Sequence, residues 1–119
     1  MALTEFEARG QPREAGMAHA ILLTCTAALG DWAGWRTHAD EIAKLIRQTG
    51  FVCVDLALTT MWAGEQAQKA HRRGEARESY AIALAQWQAL RRDSEVQKVE
   101  ARLAALDSDA HDWPGDSRR

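Results

Sequence analysis

GDWAGWRTHADEIAKLIRQTG, residues 30–50, is the stretch whose reading decides the fold. Gly30 suits the left-handed position that closes a helix, and Asp31 suits the N-cap of the next one. From there Trp35, His38, Ile42 and Leu45 recur at three- and four-residue steps, the spacing of one face of an α-helix. A second stretch, GEARESYAIALAQWQALRRD at residues 74–93, repeats the plan with a Gly-acid opening and then Tyr80, Ala83, Trp87 and Leu90. A shift of 45 residues lays Trp35 on Tyr80, Ile42 on Trp87 and Leu45 on Leu90, while Gly30 to Gly74 is a shift of 44. Aromatic falling on aromatic points to an internal repeat.

Working outward, the spacing predicts five helices: Pro12 to Leu29, Asp31 to Thr49, Val54 to Arg73, Glu75 to Arg92, and Ser94 to Leu106. Proline is tolerated at a first helical position, and Ser94 with Gln97 reads as a capping box. Three further marks, at Phe6 to Gly10, Ile46 to Gly50 and Leu90 to Asp93, fall about 40 residues apart, a period found in helical solenoids. The third helix carries small residues at Ala57, Thr60, Gly64, Ala67 and His71, which would let a neighbour come close. Val96, Val99, Leu103 and Leu106 keep to one face of the fifth, as in a helix that covers the end of a stack. Phe51 to Val54 is the only strand-like run and is too short to build a sheet. The expected organisation is a preceding helix tail and linker over 1–11, a helical domain over 12–106, and a disordered acidic tail over 107–119.

Composition agrees with a soluble all-α domain. The 119 residues are 46% hydrophobic and 27% charged, and good helix formers dominate. Abundant alanine, with arginine well ahead of lysine, hints at a GC-rich bacterial genome. The net charge is −2 and the basic residues are scattered, so the basic stripe of a nucleic-acid binder is missing. His71-Arg72-Arg73 and Arg91-Arg92 read as charges complementing helix C-termini. Glu5, Glu7 and Arg9 stand where a signal peptide needs an apolar run, and Met17 to Leu29 is too short to span a bilayer. Cys25 and Cys53 read as buried free thiols in a reducing cytoplasm.

Motifs for chemistry are lacking. No GxSxG, HExxH, CxxC, Walker A or GxGxxG pattern occurs. His19 and Cys25 fall on different helix faces, and His38, His71 and His111 on separate elements, so neither a metal nor another cofactor is expected. His38 reads as a packed or half-exposed ring. Asp40-Glu41 reads as an exposed helix face, and Asp107, Asp109, Asp112 and Asp116 as a solubilising tail without EF-hand spacing. Trp32, Trp35 and Trp87 fall on buried seams, and Trp113 in the tail.

Helix pairs with Gly-acidic turns, small residues on the first helix and an aromatic on the second resemble tetratricopeptide repeats. Trp62-Ala63-Gly64-Glu65, Arg73-Gly74-Glu75 and Ser79-Tyr80 to Trp87 are similar to one such repeat, and residues 12 to 106 resemble the arrays at the C-terminal ends of large bacterial signalling proteins. The late first-helix tyrosine and the closing proline of the family are missing, and the unit is longer than the standard repeat. The resemblance implies an antiparallel helix-pair array, an α-solenoid with a C-terminal capping helix. It also implies a non-catalytic, regulatory role in binding a protein or peptide in a helix-lined groove. The residues that would meet the partner are Trp62, Gln66, Lys69 and Arg73, one stripe on the third helix; the plainer reading of that stripe is a solvated face. A small-ligand or peptide sensor controlling an attached effector is the alternative. Ile21-Leu22-Leu23 make the first helix apolar on several sides. That favours contact with further repeats of a larger array, or a homodimer through this helix.

Overall fold

The computed structural model describes residues 12–108, and the expectations for 1–11 and for His111, Trp113 and the acids beyond Ser108 lie outside them. Five helices follow one another: α1 (Pro12–Leu29), α2 (Trp32–Thr49), α3 (Val54–Lys69), α4 (Arg73–Ala89) and α5 (Asp93–Ser108). No strand occurs among the described residues, and Phe51 to Cys53 form a non-helical connection into α3.

Three of the four connections close in one way. A left-handed residue follows the helix, its N–H bonds back to the carbonyl three residues earlier, and the next N–H reaches the carbonyl five residues earlier. Gly30 (φ 76°) does this after α1, with Asp31 N to Thr26 O at 2.8 Å. His71 (φ 59°) does it after α3, with Arg72 N to Ala67 O at 2.8 Å. Arg91 (φ 57°) does it after α4, with Arg92 N to Trp87 O at 3.1 Å. Asp31 caps α2 as its side chain predicts, accepting from Gly34 N at 3.0 Å. The fourth connection bends at Gly50 (φ 68°) and is held from α4. Buried Gln86 accepts from Cys53 N at 2.8 Å and donates to Phe51 O at 3.0 Å.

The turn after α3 departs from the sequence expectation. It lies at His71 rather than Gly74, which sits inside the first turn of α4. Burial explains the shift. Starting α4 at Arg73 lays Ala76, Tyr80, Ala83 and Trp87 on the core, and this outweighs glycine's preference for the left-handed position. Arg72 therefore precedes α4 instead of ending α3; it pairs with Glu75 and stacks over Trp32. The step from Gly30 to His71 is 41 positions, and it carries Trp35, Ala39, Ile42 and Leu45 onto Ala76, Tyr80, Ala83 and Gln86, all buried. The 45-residue shift fits less well, since it lays buried Ala39 on half-buried Leu84.

α1 packs on α2 and on α3, α3 on α4, and α4 on α5. Two core clusters result, and α3 supplies both. Leu56 and Ala63 join Ala20, Leu23, Trp35, Ala39 and Ile42 on one side. Ala57 and Ala67 join Tyr80, Ala83, Trp87, Val99 and Leu106 on the other. The small stripe of α3 is what permits this: a Cβ on Gly64 would stand 2.5 Å from Tyr80 Cε1. Thr60 in the stripe satisfies its hydroxyl within the helix by donating to Leu56 O at 2.8 Å. α5 buries Val99 and Leu106 and runs two residues past the expected Leu106. Asp107 in that extension pairs with Arg77 of α4.

Candidate functional site

With α3 buried on both flanks, its remaining face is open, and Trp62 lies on it. The ring is 59% exposed, a large apolar group left in water by a chain that buries Trp35 and Trp87. Leu58, one turn earlier, is exposed as well. Thr24 Oγ1 donates to Thr59 O at 3.3 Å, which sets α1 beside this part of α3. Ile21 (54% exposed), Leu22 and the thiol of Cys25 are exposed on α1. Cys25 was expected to be buried. Its place on the outer side of α1, away from the Ala20, Leu23 and Ala27 stripe, explains why it is not.

Of the four predicted contact residues, three share α3. Trp62 and Lys69 are exposed and Gln66 is half-buried. Arg73 is not among them. The left-handed turn at His71 intervenes, so Arg73 opens α4 and faces the end of α5. There Arg77 chiefly, with Arg73 assisting, holds the Asp107 carboxyl below its ordinary value.

Toward α5 the open face of α3 becomes a trough. One cleft of about 440 Å³ is lined by Glu65, Gln68, Lys69 and Arg102. Next to it, a cleft of about 400 Å³ is lined by Met61, Lys98, Ala101, Arg102 and Ala105. Arg102 belongs to both and is held in place. Its guanidinium is raised above the ordinary value by the Tyr80 oxygen first and by Glu65, which it meets at 2.6 Å. Burial pushes the Tyr80 phenol up while Arg102 draws it back, and the hydroxyl donates to Gln68 Oε1 at 2.7 Å. Lys69 has no ion pair among the described residues, and Lys98 reaches Glu95 only at 3.5 Å.

A second polar feature escaped sequence reading. His19 of α1 is buried, and its Nδ1 lies 3.0 Å from Nδ1 of His38 on α2, so one ring donates and the other accepts. The His38 imidazole is held below 6.5, by burial first and then by His19, with Asp31 and Glu41 pulling back. No group of three or more His, Cys, Asp or Glu that could hold a metal occurs among the described residues. No described helix is long and apolar enough to cross a membrane.

No protein family matches the chain, and neither a curated protein nor a solved structure shows significant similarity to it.

Proposed function

We propose that the chain is a tetratricopeptide-like array of antiparallel helix pairs, α1–α2 and α3–α4, capped by α5, and that it binds a protein or peptide on the open faces of α1, α3 and α5. On this reading it is a non-catalytic scaffold, regulatory in role and cytoplasmic. The recurrence of the same turn and the same buried positions at a 41-residue step supports the repeat. The observation that carries the binding role is exposed Trp62. Water contact over most of a tryptophan costs the free energy that burial would recover, and tryptophan is the side chain most enriched among residues that dominate interfaces. Leu58 and Ile21 add to the exposed apolar surface.

The test is selection of random peptides displayed on phage against the full chain, followed by affinity measurement. Peptides should be enriched, and Trp62→Ala should weaken them by tenfold or more, about 1.4 kcal/mol, with an unchanged melting temperature. Failure to enrich any peptide, or binding indifferent to Trp62, would remove this reading. Exposed Ile21, Leu22 and Leu29 on α1 support a further contact of that helix with another protein surface or a second copy. A strictly monomeric mass at high concentration would exclude the second copy.

A further inference from the structure

We infer that the trough between α3 and α5 selects an acidic segment of a partner protein that carries a large apolar side chain. This rests on the interaction reading above and names the chemistry of the partner. The trough is divided by Arg102. Met61, Ala101 and Ala105 give one half an apolar floor of short or flexible side chains, where an incoming apolar group finds room. Lys98 rises beside that floor, and Lys69 lines the other half. Glu65, the acid lining the trough, is already engaged by Arg102 at 2.6 Å. Two ammonium groups are therefore left with little or no compensation, on a chain whose net charge is −2.

Carboxylates at the spacing of Lys69 and Lys98 would form charge-assisted hydrogen bonds there. A basic segment would meet like charge, and a purely apolar one would leave both ammonium groups unanswered. Trp62, which follows Met61 in the chain and is exposed, lines neither cleft but lies on the same helix, where a segment running past the trough would meet it. Nucleic acid fits less well, because the cations are few and the floor beside Lys98 is apolar.

Four fluorescein-labelled probes test this on the full chain. Three are pools of 12-residue peptides, each with two leucines fixed; four further fixed positions are glutamate in the first pool, glutamine in the second and lysine in the third. The fourth is a single-stranded RNA of the same length. The glutamate pool should bind about tenfold tighter than the glutamine pool, the scale of one charge-assisted bond, and the lysine pool and the RNA more weakly still. Raising the salt should shrink the glutamate preference. In Lys69→Gln/Lys98→Gln the preference should vanish while the melting curve stays unchanged, because both lysines are exposed.

Equal binding of the glutamate and glutamine pools, lost in Trp62→Ala, would overturn the acidic preference and leave the interaction reading standing. A preference that survives the double substitution would overturn the assignment to this trough. Tighter binding of the lysine pool or the RNA would overturn the proposal outright, and no binding by any probe would overturn both readings.

Discussion

Single residues in this molecule do distinct physical work. Gly64 has no side chain because the Tyr80 ring occupies the space, so Gly64→Ala should cost about 1–3 kcal/mol in a urea melt, as overpacking of a core does. Trp87 fills the cluster between α3, α4 and α5, and Trp87→Ala should destabilise by about 3–5 kcal/mol. His38 ties stability to pH. Its folded imidazole binds a proton more weakly than the unfolded one, whose value is 6.5. Stability is therefore full above 6.5 and falls as the pH drops through that value toward the lower folded one. Melts at about pH 7.5 and about pH 5.5 should show this fall, and His38→Gln should reduce it. A pH-independent midpoint in the parent chain would contradict the assignment.

At the scale of elements, the connections decide the register. Arg91 is exposed and held at φ 57°, a conformation that costs a side chain of this handedness roughly 1 kcal/mol. Arg91→Gly should therefore raise stability by about that amount in thermal or urea unfolding. Gln86 acts across elements, and Gln86→Ala would leave Cys53 N and Phe51 O without their partners, a loss of about 2 kcal/mol. Legibility followed the range of the forces involved. The five helices, the left-handed Gly30 and the Asp31 cap could be read because each depends on a few neighbouring residues. The turn at His71 could not, because no glycine marks it and burial of Ala76 and Tyr80 placed it. Arg73 left the predicted stripe for that reason alone. The His19–His38 contact, the Gln86 clamp and the exposure of Cys25 depend on which helix faces which, and no spacing along one helix encodes that. Sequence periodicity did bring Trp62, Gln66 and Lys69 onto one helix, but it missed Arg102 and Lys98, which enter the trough from α5.

Over the whole molecule, α3 is the pivot. Both core clusters draw on it, so its open face is rigidly backed from two sides. A surface built this way loses little conformational freedom when something docks on it, and this favours binding through exposed Trp62 and the ordered Arg102. α1 and α3 contribute mostly apolar surface to this side, while Lys69, Lys98 and Arg102 give the α3–α5 end its cationic character. The central claim is that this side of the molecule is the interface. Its most direct test is to follow the backbone and indole amide resonances of the isotope-labelled chain while the glutamate peptide pool is added. Shifts should appear at the Trp62 indole and at Lys69, Lys98 and Arg102, leaving the Trp35 and Trp87 indoles in place. Shifts confined to α2 and α4, or none at a saturating peptide concentration, would contradict it.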